Sequence, residues 1–85
     1  MSTMHYRPLS NIAHDIRRDW KDVYFGAKPY LSAMFDLDSL NDQYMFEDGK
    51  SVVRYFLANS SRWRGPVAKL IKDELRRMLA NKPIE

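Results

Sequence analysis

The sequence predicts a small all-α protein, a single-domain bundle of about four helices. Apolar residues recur at spacings of three and four along most of the chain, which is the period of a helix with one buried side. Hydrophobic residues make up 45% of the 85 residues and aromatic residues 13%, which is enough material for a core. We expect a flexible N-terminal tail over residues 1–8, the helical domain over 9–82 and a C-terminal tail over 83–85.

The first two helices are separated by residues that end and begin helices. The first predicted helix begins near Ser10, a residue type that caps helices, and ends before Gly26, which can adopt a left-handed terminating conformation. Its apolar stripe consists of Leu9, Ile12, Ile16, Trp20 and Val23. The second predicted helix runs from Pro29, a residue suited to a first helical turn, to Leu37. Its apolar residues are Tyr30, Leu31, Met34, Phe35 and Leu37.

The third predicted helix follows an acidic connection. Residues 36–49 contain five acids and no base, and we expect a loop here with a short helical turn around residues 39–43. The helix begins near Asp48, which can cap it. Apolar residues on nearly every side predict that it is the most buried helix: Val52, Val53, Tyr55, Phe56 and Leu57. A strand is the alternative, because valine and tyrosine also suit strands.

The fourth predicted helix spans residues 62–80, with Pro66 in its first turns, where a missing amide is least harmful. Its apolar face consists of Trp63, Val67, Leu70, Ile71, Leu75 and Met78. Glu74 lies at the edge of this face, and we expect it to pair with Arg77 or a core tyrosine or tryptophan, because an unpaired buried carboxylate is costly. The residues expected in the core of the bundle are Ile16, Trp20, Phe56, Leu70 and Leu75.

Composition and charge restrict the classes of function. The chain has no cysteine, so it has no disulfide or thiolate metal site, and no apolar run is long enough for a signal peptide or a membrane span. We therefore expect a cytoplasmic protein that is not inserted in a membrane. The net charge of +3 is unevenly distributed, since residues 50–82 carry nine cations and two acids.

We find no pattern typical of catalysis or cofactor binding. The two histidines lie in the predicted tail and on the polar side of the first helix, without a nucleophile or an orienting group. The glycines are isolated, so no loop resembles a phosphate-binding motif. Residues 36–47 fail as an EF-hand, because Leu40 and Asn41 stand where a ligand and a glycine are needed. We expect no enzymatic activity, cofactor, metal or small-molecule substrate.

Two surfaces are candidates for binding a macromolecule. The bend between the first two helices predicts an aromatic corner with at least one exposed ring, formed by Tyr24, Phe25 and Tyr30 with Trp63 and Arg64. The alternative is that these rings close the core. The polar face of the fourth helix predicts a cationic stripe for nucleic acid, formed by Arg62, Lys69, Lys72 and Arg76. The alternative is an ordinary solvated face.

Two stretches carry a resemblance to a known group of proteins. Residues 19–34 (DWKDVYFGAKPYLSAM) and 53–65 (VRYFLANSSRWRG) resemble small uncharacterised helical proteins encoded by bacterial phages, prophages and mobile elements. The resemblance covers residues 11–77 and implies no activity, so no functional residue is carried over. It implies a context, in which a small accessory product acts on a larger host or phage machine.

The sequence therefore favours a non-enzymatic helical protein-interaction module, which is an inhibitor, adaptor or regulator. The alternative is a nucleic-acid-binding regulator that uses the basic face of the C-terminal helix. Self-association is a further expectation, because a short chain has a thin margin of stability that a homo-oligomeric interface can relieve.

Overall fold

A computed structural model describes residues 6–45 and 47–80, with Tyr44 described by its backbone alone. Four helices account for most of these residues, and the all-α prediction is confirmed. The elements are α1 Leu9–Asp19, α2 Lys28–Phe35, β1 Gln43–Tyr44, β2 Glu47–Asp48, α3 Gly49–Ala58 and α4 Pro66–Leu79. The predicted C-terminal tail and the first five residues of the N-terminal tail lie outside the described residues.

An aromatic cluster lies at the centre of the core. The rings of Trp20 and Trp63 stack with centroids 5.7 Å apart and planes within 5°. Phe56 packs edge-to-face with both, with ring centroids 6.2 and 6.3 Å apart. Around this cluster α1 packs on α2 and α4, and α3 packs on α2 and α4. The predicted burial of Ile16, Trp20, Phe56 and Leu75 is confirmed.

The predicted burial of Leu70 is wrong. The buried stripe of α4 consists of Ala68, Ile71, Leu75 and Met78. Leu70 is 71% exposed and Val67 is 39% exposed. Successive helical residues are rotated by about 100°, so a stripe centred on Ile71 turns Leu70 outward. Ala68, which is 1% exposed, lies on the buried side with Ile71.

Helix α1 is shorter than predicted and begins without the predicted cap. It begins at Leu9 rather than after a Ser10 cap, because the amides of Leu9 and Ser10 donate to the backbone carbonyls of Asp38 and Leu37, at 3.0 and 2.9 Å. These bonds satisfy the amides that a capping side chain would otherwise serve. The helix ends at Asp19, well before Gly26, whose φ is not positive.

The helical prediction for residues 49–58 is confirmed, and the strand alternative is wrong. The Asp48 carboxylate caps α3 by accepting a 2.8 Å hydrogen bond from the amide of Ser51, which lowers the pKa of Asp48. The connection before it contains a short antiparallel pair, Gln43 with Asp48 and Tyr44 with Glu47, that was not predicted. Residues 39–42 form a hydrogen-bonded turn, and the predicted short helix there is absent from the described residues.

Glu74 has a different partner from those predicted. Its carboxylate accepts two hydrogen bonds from Arg7, at 2.9 and 3.0 Å, and Arg7 also donates to Asp15 on α1. Residues 6–8, assigned by sequence to a flexible tail, are thus attached to α1 and α4 through Arg7. Within the described ranges, no helix is both long and apolar enough to cross a membrane.

Candidate functional site

The chain between α1 and α2 forms a tight corner on the surface. Trp20 leaves α1 in an extended conformation and enters the core, and two backbone hydrogen bonds then close a turn at Tyr24 and Phe25. Tyr24 and Asn59 pack closely on Gly26, since a Cβ at this position would lie 2.6 Å from a ring carbon of Tyr24 and 2.9 Å from the side-chain oxygen of Asn59. A larger residue here would displace both side chains.

The aromatic residues predicted for this corner do not all lie together. Phe25 is 75% exposed and packs against half-buried Tyr24, with ring centroids 4.9 Å apart. Tyr30 is half-buried and packs instead against Tyr55 of α3, at 5.3 Å. The expectation of at least one exposed ring is confirmed by Phe25.

Trp63 lies in the core and not in the aromatic corner predicted to bind a partner. It is 2% exposed, and its indole N–H donates to the Asp19 carboxylate at 2.8 Å. Arg64 is exposed, but its Nε donates to the backbone carbonyl of Ser61 at 3.3 Å. The segment between α3 and α4 therefore places Trp63 in the core and Arg64 at the surface.

Arg62 belongs to the corner rather than to the stripe on α4. Its guanidinium carbon lies 4.5 Å from the centre of the Tyr24 ring, a typical cation–π distance. This contact was not predictable from the sequence, because residues 24 and 62 are far apart in the chain and α4 begins at Pro66, after Arg62. We call the set formed by Tyr24, Phe25 and Arg62 the corner surface.

The other predicted members of the cationic stripe make hydrogen bonds or ion pairs within the fold. The Lys72 ammonium group donates to the backbone carbonyls of Ser60 and Trp63, at 2.8 and 2.6 Å. Burial, and after it the charges of nearby arginines, lower the pKa of Lys72. Lys69 and Arg76 both lie beside Asp73, with N–O distances of 3.8 and 3.4 Å. The four cations therefore do not form one free stripe.

A second apolar feature lies on α4. Exposed Val67 and Leu70 line a groove between α1 and α4 of about 500 Å³. The Arg7–Glu74 pair and Asp15 line the same groove. We call the exposed pair Val67 and Leu70 the α4 outer patch. The α4 outer patch was not predicted, because Leu70 was expected in the core.

Chemistry outside these surfaces is sparse in the described part of the chain. Across residues 6–45 and 47–80, no group of three or more histidine, cysteine, aspartate or glutamate side chains is arranged to hold a metal ion. His14 is exposed and packs edge-to-face with Phe35, with ring centroids 4.7 Å apart.

In comparisons with known proteins, no family model, no curated sequence and no solved structure matches this chain.

Proposed function

We propose that this chain is a non-enzymatic, cytoplasmic protein-interaction module that binds a protein partner through the corner surface. One observation carries the proposal: the ring of Phe25 is 75% exposed on a turn whose conformation is fixed by backbone hydrogen bonds. A partner that covers such a ring gains about 2 kcal/mol from burying apolar area. Rigid placement matters as well, because little conformational freedom is then lost on binding.

The residue types of the corner surface support this proposal. Tyrosine and arginine are enriched among the residues that dominate binding energy, and here Arg62 covers Tyr24 next to the exposed Phe25. In keeping with the resemblance of residues 11–77, we propose that the partner is part of a larger host or phage machine. Such binding would suit an inhibitor, an adaptor or a regulator of that machine.

Capture of the partner from a nuclease-treated host lysate tests the proposal. The matched variants are Phe25→Ala and Leu70→Ala, because both remove a large side chain that is more than two-thirds exposed. We expect the parent chain and Leu70→Ala to retain a protein that Phe25→Ala loses. Circular dichroism of each variant checks that the fold is kept.

Three outcomes would contradict the proposal. Loss of the partner with Leu70→Ala but not with Phe25→Ala would move the binding site to α4. A partner retained only without nuclease would favour the nucleic-acid alternative. Recovery of further copies of the chain itself, and nothing else, would favour self-association.

A further inference from the structure

The corner surface continues into a groove along the connection between α1 and α2. One cleft, of about 260 Å³, lies between the end of α1 and the start of α2, and a second lies beside Phe25 and Arg62. Asp22, Val23 and Lys28 line both clefts, so the two lie side by side, and we treat them together. We call the pair the corner groove.

The charged side chains that line the corner groove are mainly cationic. They are Arg17, Lys21, Lys28 and Arg62, with Asp22 as the one acid. Within the described residues, none of these four cations forms an ion pair, whereas Arg7, Arg18, Lys69 and Arg76 all do. The positive charge of the groove is therefore not neutralised by the fold.

The groove also contains apolar side chains between its cations. Half-buried Val23 lines both clefts and lies beside the rings of the corner surface in the second, whereas Leu31 and Trp20 are buried at the base. A ligand that fits presents negative charge to the four cations and an apolar group to Phe25 and Val23. An acidic protein segment has both properties, because charged and apolar side chains alternate freely in a polypeptide.

We propose that the corner groove binds an acidic segment of the partner protein, whose carboxylates face the four cations and whose apolar side chain covers Phe25. This inference rests on the proposed function and specifies the chemistry of the partner. Charge complementarity of this kind accelerates association and selects among partners. Asp22, in the middle of the groove, accepts a backbone N–H of the segment.

Single-stranded nucleic acid fits the groove less well. Such ligands are held by stacking of successive bases on aromatic rings and by continuous phosphate contacts. In the groove, Phe25 is the one ring more than half exposed among the described residues, since Arg62 covers Tyr24 and Trp20 is buried.

Fluorescence anisotropy with two labelled probes tests the proposal on the full chain. The probes are a short peptide of repeating Glu-Glu-Leu and oligothymidine of similar charge. We expect the peptide to bind more tightly than the oligonucleotide, and its affinity to fall as salt screens the exposed charges. The variant Lys21→Glu/Lys28→Glu should weaken peptide binding roughly tenfold, since reversing two exposed charges replaces two attractions with two repulsions.

The matched control is Lys50→Glu/Arg54→Glu, which changes the net charge by the same amount on exposed positions of α3 outside the corner groove. We expect this control to reduce peptide affinity far less than the groove variant. An equal loss in the two variants would show that the overall charge, and not the groove, attracts the peptide, and would overturn the proposal.

The remaining outcomes separate this inference from the proposed function. Tighter binding of oligothymidine, or no peptide binding at low salt, overturns the acidic-segment inference. If lysate capture depends on Phe25 but is insensitive to salt and to Lys21→Glu/Lys28→Glu, the function stands and the inference fails. If the peptide binds as expected but Phe25→Ala still captures the protein partner from lysate, the acidic-segment inference stands and the proposed function fails.

Discussion

The corner surface and the α4 outer patch expose apolar side chains to a similar extent but differ in their charges. Phe25 is 75% exposed and Leu70 is 71% exposed. Beside Phe25, Arg62 and Lys28 form no ion pair within the described residues, whereas on α4 Lys69 and Arg76 share Asp73. Lys69, Lys72 and Arg76 of α4 make contacts within the fold, while the charges of Lys28 and Arg62 remain available to a partner.

The largest effect we predict concerns the orientation of α4. Leu75→Ala should lower the free energy of unfolding by about 2–5 kcal/mol, because Leu75 is fully buried and its truncation leaves a cavity. Leu70→Ala should change it by less than about 0.5 kcal/mol, since that side chain is mostly exposed. Urea unfolding followed by circular dichroism measures both. Equal losses in the two variants would mean that α4 is rotated from the orientation described.

A smaller effect should distinguish the two lysines of α4. Lys72→Met should destabilise the fold by about 1–2 kcal/mol, because it removes hydrogen bonds from an ammonium group to the carbonyls of Ser60 and Trp63. Lys69→Met should cost about 0.5 kcal/mol or less, since its ion pair with Asp73 is exposed. Thermal unfolding of the two variants compares them. If Lys69→Met were the more damaging change, Lys72 would not hold the segment before α4.

The third effect depends on pH and concerns the contact between Arg7 and Asp15, which line the groove between α1 and α4. Arg7 lowers the pKa of Asp15 through a hydrogen bond, so this contact stabilises the fold above the unfolded pKa of about 3.9 and is lost as pH falls through the folded value. Arg7→Gln should therefore be less stable than the parent near neutral pH, by about 1 kcal/mol.

The difference between Arg7→Gln and the parent should narrow as the pH falls from about 3.9 through the lowered pKa of Asp15, where the Asp15 carboxylate becomes protonated. Arg18→Gln is the control, because Arg18 contacts Asp15 from a more exposed position and makes no contact with Glu74 among the described residues. The urea concentration at the unfolding midpoint, measured for the parent and both variants across this pH range, gives the difference in stability. A difference that stays constant with pH would exclude an ionic contribution from Arg7.

Helix content was predictable because it depends on local patterns. The Asp48 cap and the buried side of α1 could be read from the type and spacing of neighbouring residues. The exposure of Leu70 also followed from spacing: Leu70 is five residues before Leu75, which places it about 140° away around the helix, whereas Ala68 and Ile71 lie within about 40° of Leu75. The prediction for Leu70 was wrong because it relied on hydrophobicity and not on position around the helix.

The candidate site was predictable only in part. An exposed ring at the bend follows from local geometry, and Phe25 is that ring. The burial of Trp63 and the position of Arg62 over Tyr24 are contacts between distant parts of the chain. The cations of the corner groove likewise come from α1, from α2, from the connection between α1 and α2, and from the connection between α3 and α4. No single segment of the sequence therefore shows the cluster.

The difference between the two surfaces is tested most directly by the affinity of the isolated partner for two variants. Calorimetric titration of Phe25→Ala and Leu70→Ala, each shown to be folded, measures the contribution of each exposed apolar side chain. We predict that Phe25→Ala weakens binding by about tenfold or more, as expected of a residue at the centre of an interface, and that Leu70→Ala changes it by less than about twofold. The reverse order, or equal losses, would contradict the assignment of binding to the corner surface.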